Sequence, residues 1–379
     1  MRNLLRVLAG ACALCLPLFA SAEDLVVAQV ASHTNPQSAA NVVGIQAGIK
    51  AYFDFVNEQG GVGGKQVKLM TRDDDLNAPK MLAATKELIA DKQVLAFVGF
   101  LNTGGLTELA KQNIPGQAGI AVIAPSQGNK NIVGAENFFP FRSGYTDEIS
   151  ALVTEAKNTQ KKSIAIVYFN TAFGPPMSQF AQTTAKNQGM NVVTNVGVEV
   201  APDKFEASMK SAVAEVVKSA PDAIIMVCAG RVVNEFVRQI KDSPAASAQL
   251  YAMSVVPNGD VVKAAGVAKA RGMIIAQAVP FPYSPTLPVV GEYLRLLKKY
   301  APQETPSFTG LEGFIGAKIT VEALKRAGPN PTREKISKVL NNFGEFNLGG
   351  VYVNYTAKDR SGWGSIDLTI VDANGRLLR

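Results

Sequence analysis

The strongest constraint on this chain is a repeated alternation. Short apolar runs are each followed by a polar or glycine-bearing corner and then by a segment of helical period. Residues 94–112 show it most clearly. The run 94–100, VLAFVGF, holds no polar residue. Such a run reads as a strand buried on both faces, as in a parallel sheet covered by helices. It ends in Asn102, Thr103, Gly104 and Gly105, after which Leu106, Leu109 and Ala110 recur at helical spacing. Thr103 is placed to cap that helix with its hydroxyl. The two glycines allow close approach to the backbone, and the free N–H groups of a helix's first turn suit a carboxylate or another anion.

The same alternation predicts strands at 25–30, 66–71, 94–100 and 119–124, with helices at 41–58 and 79–90. The order β-α-β-α-β-α-β is a doubly wound parallel unit. A second unit of the same kind follows. It has strands at 163–169, 191–200, 223–229, 249–254 and 273–279, and helices at 147–159, 177–188, 205–219 and 232–241. The end differs: helices at 308–327 and 332–341, then Gly349-Gly350 and short strands at 351–355 and 365–371. No element is expected between 280 and 307. Without a low-complexity linker, two α/β lobes joined by short crossings are expected rather than beads on a string.

Composition narrows the classes. The chain has 379 residues, 47% hydrophobic and 18% charged, which supplies large cores and excludes a disordered chain. Arg2 and Arg6, the apolar stretch 4–19 and Ala20-Ser21-Ala22 form a secretory signal peptide, with cleavage expected after Ala22. That address implies a periplasmic protein. Cys12 and Cys15 leave with the signal, so Cys228 remains alone, in an apolar run, as a small core residue. One histidine and one mature cysteine argue against a zinc site. Asp73, Asp75 and Asn77 begin like a calcium loop, but Ala78 and Ala84 stand where glycine and glutamate are needed. Gln59 and Gln66 break the phosphate-loop pattern around Gly60 to Lys65. No cofactor is expected. The net charge of +7 is spread over many segments with no basic stripe, so nucleic acid is not an expected partner.

Specific residues carry a resemblance. They are Gly44 and Gly48, the run 57–65 (NEQGGVGGK), Asp73-Asp74-Asp75 with Pro79, Val98-Gly99, Ile123-Ala124-Pro125-Ser126 and Arg142-Ser143-Gly144. In these the chain resembles periplasmic solute-binding proteins of the branched-chain amino acid (leucine/isoleucine/valine) type, the binding subunits of ABC importers. The resemblance implies an α/β fold of two doubly wound parallel-sheet lobes joined by three crossings, the type I periplasmic binding protein. It implies a signal peptide at 1–22, lobe 1 at 23–141 and 276–342, and lobe 2 at 142–275 and 343–379. The implied role is capture of a hydrophobic amino acid or related small carboxylate, delivery to an ABC permease in the inner membrane, and no catalysis; a monomer is expected.

The resemblance also implies a site. Asn102, Thr103, Ser126 and Gly128 match the loops that hold a ligand carboxylate, and Phe173 matches an aromatic packed on the ligand. Ser32 and His33 lie on the first strand's loop, within reach of the cleft. Two departures stand out. Ala229-Gly230-Arg231 replaces a loop that offers an aromatic, and Val255-Val256-Pro257 replaces one that offers a carboxylate to the ligand's ammonium. A buried ammonium without an anion is costly. A small carboxylate lacking the amine is therefore expected, with Gly230, Arg231 and Val255 at its edge. The alternatives are a sensor module for the same kind of ligand, and a serine hydrolase using Ser126 and His33.

Overall fold

The computed structural model describes residues 23–379. The expected signal peptide, residues 1–22, lies outside them. The first lobe is built on strands β1 (Leu25–Ala31), β2 (Val67–Asp73), β3 (Val94–Val98), β4 (Val122–Ile123) and β5 (Phe138–Phe139). They pair in the order β2-β1-β3-β4-β5, all parallel. Every residue of β1 is buried, because helices cover both faces of the sheet. Val27, Ala96 and Ile123 face the helices Ala39–Glu58 and Phe308–Arg326. Val26, Ala28 and Phe97 face the helices Ala78–Ala90 and Thr103–Lys111 on the other side. Alternate residues of a strand point to opposite faces, so an all-apolar run feeds two cores at once.

Two glycine pairs let the covering helices meet backbone to backbone. A Cβ on Gly48 would stand 1.9 Å from the Gly310 carbonyl oxygen, and one on Gly313 would stand 2.1 Å from that of Ile45. The Gly44 and Gly48 spacing noted in the sequence thus has a packing cause.

The second lobe continues with β6 (Ser163–Phe169), β7 (Asn191–Val198), β8 (Ala223–Val227), β9 (Gln249–Ala252) and β10 (Ile274–Gln277). The chain then makes a small antiparallel sheet of β11 (Gly344–Asn347), β12 (Tyr352–Tyr355) and β13 (Arg360–Ser361). It returns to the second sheet as β14 (Asp367–Val371) and β15 (Leu377–Leu378). The full order is β15-β14-β10-β9-β8-β6-β7. Its core is parallel, but β14 runs antiparallel to β10, and β15 antiparallel to β14. The expected parallel-sheet lobe is present, and the C-terminal tail adds two antiparallel strands at its edge. The tail reaches β10 directly and needs no crossover helix.

Other expectations shift too. β10 stays in the second sheet through Gln277, beyond the expected boundary at 275. Residues 344–361 pair with neither large sheet. They lie against β5, where the Tyr355 hydroxyl donates to the Pro140 carbonyl at 2.8 Å. A helix, Pro288–Tyr300, occupies the stretch where none was expected; Pro288 opens it, and Val289, Tyr293, Leu296 and Leu297 are its buried stripe. β5 and the helix Asn258–Ala265 are likewise additional.

The crossings converge on Ser143. Its N–H donates to Ala278 O at 3.2 Å, and its hydroxyl donates to Ser365 O at 2.8 Å. Beside it the Trp363 N–H donates to Phe141 O at 2.6 Å. Three passages of chain, near 142, 278 and 363, are tied together there. Among the described residues no helix is long and apolar enough to cross a membrane.

Candidate ligand-binding cleft

The carboxyl ends of both parallel sheets face a common cleft, the usual place for ligands in open α/β sheets. A cavity of about 420 Å³ lies in it. Four helices begin at its wall: Thr103–Lys111 from the first lobe, and Gly174–Asn187, Pro202–Ser219 and Gly230–Ile240 from the second. Each start carries unpaired N–H groups and partial positive charge.

The first-lobe wall is polar. Asn102, not Thr103, caps the Thr103–Lys111 helix; its Oδ1 accepts from Gly105 N at 3.1 Å. This corrects the expected cap. The physical reason is position: Thr103 is already the first helical residue. The Asn102 amide also donates to Asp74 Oδ2 at 2.9 Å. Burial pushes the Asp74 carboxyl up, while bonds from Ser32 and Asn102 oppose it. Thr103 lines the cavity, its Oγ1 accepting from Gln127 Nε2 at 3.1 Å. Gln37, Ser38 and Asn41 line it too, and were not anticipated. Gln37 Oε1 is buried and finds no partner within the protein.

The second-lobe wall is apolar. Phe173 stands edge-on to Tyr145 at 4.8 Å and to Phe169 at 5.5 Å between ring centres. Val200, Pro202, Ala229 and Val255 extend this wall. Burial pushes the Tyr145 phenol up to about 12, so it is neutral at physiological pH. Arg231 lines the edge, stacked 3.8 Å from the centre of the Phe205 ring and donating to Glu206 Oε1 at 2.6 Å.

Four of the expected site residues lie elsewhere. Ser32 is buried beneath the wall, its hydroxyl bound to Asp74. His33 donates its backbone N–H to Asp73 Oδ1 at 3.0 Å and its ring meets Gln46 Nε2 at 3.1 Å, outside the cavity. Gly128 is turned to Tyr145, whose N–H donates to its carbonyl at 2.9 Å. Gly230 touches the first lobe instead of the cavity: at φ +56°, a Cβ there would meet Gln37 Cα at 2.5 Å. The lobes are also bridged by Asn41 Nδ2, which donates to the Val255 carbonyl at 3.0 Å.

Arg142, which the sequence marks only through the Arg142-Ser143-Gly144 motif, lines the cavity. It is buried where the two walls meet. Its Nη2 donates to Glu148 Oε1 at 2.8 Å and to the Ser254 hydroxyl, and its Nη1 lies 3.7 Å from Glu312 Oε2. Burial alone would pull the Arg142 guanidinium down, but Glu312, Tyr145 and Glu148 outweigh it and hold it charged. Burial pushes both Glu148 and Glu312 up, against the pull of Arg142. Ser126 donates to Glu312 Oε2 at 3.2 Å and accepts from Arg142 Nη1 at 3.4 Å. Ser126 is thus held by an ion pair, while His33 is held by Gln46. These contacts give a serine nucleophile no histidine base.

Asp73 and Asn77 serve the turn before the Ala78–Ala90 helix, and Asn77 caps it. Among the described residues no group of three or more His, Cys, Asp or Glu stands together to hold a metal. Cys228 is buried, and burial pushes its thiol up.

A model of the family described as periplasmic binding protein matches residues 27–376. The chain belongs to the periplasmic binding protein family. Among curated relatives it is 24% identical over 187 residues to Leu/Ile/Val-binding protein homolog 2 of Brucella abortus, covering 48% of this chain and 49% of that one. The match thus spans about half the length of that relative. Among solved structures it is similar to a substrate-binding periplasmic protein of Ralstonia solanacearum, at 25% identity and TM-score 0.87, covering 94% of this chain and 99% of that one. It also shares its fold with an R. palustris ABC transporter solute-binding protein in complex with benzoate, at 18% identity and TM-score 0.78, covering 94% and 95%. Pockets favour interfaces between domains, and the four helix starts converge on the space between the lobes here.

Proposed function

We propose that this periplasmic binding protein captures a small carboxylic acid with an apolar body between its lobes. It then presents the closed form to the permease of an ABC importer in the inner membrane. One observation carries the ligand class: the cavity is lined by Arg142 and Arg231 and by four helix starts, and no Asp or Glu of the described residues lines it. Such a wall favours a carboxylate and offers an ammonium no anionic partner. Asn102, Thr103 and Ser126, with the first-turn amides at Thr103 and Gly104, hold the acid group. Phe173 and Val255 cover the body, and Arg231 guards the mouth. The Brucella relative is named for leucine, isoleucine and valine and the R. palustris protein holds benzoate, so both carry an acid group on an apolar body.

Closure is a hinge motion about the strands tied at Ser143. Residues 23–141 and 278–361 move as the first lobe, and 142–277 with 364–379 as the second. The protein acts as a monomer and performs no chemical step on its ligand. The test is a thermal-shift screen of the purified protein against organic acids and amino acids. A true ligand at 100 times its dissociation constant adds about 2.7 kcal/mol of stability. A set of hits confined to amines, sugars or neutral amides would overturn the reading.

A further inference from the structure

The cleft has a second compartment. It is about 740 Å³ and shares Asn41 and Thr309 with the first. At this shared wall Asn41 bridges to the Val255 carbonyl across the lobes. Ser254 and Val256, on either side of Val255, line the second compartment. The two spaces therefore adjoin along these residues.

The second compartment is walled differently. Phe281, Tyr283 and Phe308 stand edge-on to one another, with ring centres 5.2 to 6.1 Å apart. Val43, Tyr283 and Leu378 are 46%, 41% and 52% exposed, and all three line it. These are three of the five large apolar side chains exposed on the described surface, gathered at one place. Asp260, Glu304 and Arg376 also border it. Large apolar side chains gathered and exposed at one place mark a surface that something covers.

We propose that the second compartment holds the apolar chain of the same acid whose carboxylate sits in the first. The ligand class is then an amphipathic carboxylic acid longer than a branched-chain amino acid, its chain passing beneath the Asn41 to Val255 bridge. The shared wall selects this occupant: Asn41 and Thr309 line both compartments, so the chain of an acid held in the first lies beside the apolar side chains of the second. This inference rests on the carboxylate reading above.

The experiment is calorimetric titration of the whole protein with butanoate, hexanoate, octanoate and decanoate, repeated for Val43→Asp and Tyr283→Ser. Both positions are exposed, so either variant is expected to fold. Each methylene that enters the compartment tightens binding up to about fourfold. Val43→Asp and Tyr283→Ser each lower the decanoate-to-hexanoate affinity ratio about tenfold. If short acids bind and decanoate binds no tighter, or if the variants leave that ratio unmoved, the second-compartment assignment is wrong and the carboxylate reading survives. If no carboxylate binds at all, both are wrong.

Discussion

The two walls of the cleft are built on opposite plans. The first-lobe wall is Gln37, Ser38, Asn41, Asn102 and Thr103; the second-lobe wall is Phe169, Phe173, Val200, Pro202 and Val255. Polar groups on the first wall are pinned by their own protein, as Asn102 is by Gly105 and Asp74. The second wall offers area rather than direction. The difference separates two jobs: a fixed set of dipoles orients the head group, while the opposing face gains burial when the lobes meet. Arg142 is the point where the plans join, since it contacts Ser126 and Glu312 on one side and Glu148 and Ser254 on the other.

Breaking that join should have the largest effect. Arg142→Met leaves Glu148 and Glu312 buried with no counter-charge, and should cost about 3–5 kcal/mol of stability in chemical denaturation. A cost below about 1 kcal/mol would mean that the walls are stable independently of Arg142. Phe173→Ala tests the apolar wall alone. It removes both edge contacts, and should cost roughly 3 kcal/mol together with a loss of ligand affinity. If affinity is unchanged, the second wall does not touch the ligand.

Asn102→Ala tests the polar wall. Loss of the cap should cost about 1–2 kcal/mol, and Asp74 loses a hydrogen-bond donor. Carboxylate affinity should fall as the Thr103 and Gly104 amides lose their alignment. Thr103→Ala, which leaves the cap intact, should cost less stability.

Glu312→Gln sharpens the comparison through pH. Burial raises the Glu312 carboxyl above its ordinary 4.5. The folded protein therefore holds this proton where the unfolded chain has released it. The resulting stabilisation is full below pH 4.5 and is lost as pH rises through the folded value. Glutamine does not titrate, so the stability of Glu312→Gln relative to the parent should rise as pH increases above 4.5. A difference that stays flat from acid to neutral pH would show that Glu312 is not held in this way.

Much of the architecture was legible because periodicity reports burial. Strands such as β1 and β3 are apolar on both faces, and the helices between them carry apolar stripes. Loop position also points to Asn102, Thr103, Ser126 and Phe173, which line the cavity. Side-chain direction was not legible. Ser32 and His33 sit on the right loop, but Asp74 and Gln46 draw them away, and no pattern in one sequence reveals those partners. Gly128 likewise does not line the cavity and bonds through its carbonyl to the Tyr145 N–H. The ion pair at Arg142 joins residues 6 and 170 positions away, and the shared burial of such a set leaves no local signature. The Pro288–Tyr300 helix did have a signal, in Pro288 and the stripe Val289, Tyr293, Leu296. The antiparallel return of β14 had none, because the direction of a strand is not written in its own residues.

The central claim is that this cleft reads an acid group and has no anionic partner for an amine. The most direct test is paired calorimetry of the whole protein with 4-methylpentanoate and leucine, which differ only in the amino group. The account predicts that 4-methylpentanoate binds and that leucine binds at least tenfold more weakly, since 1.4 kcal/mol of unmet ammonium desolvation is about a factor of ten. Tight binding of leucine with none of 4-methylpentanoate would contradict it.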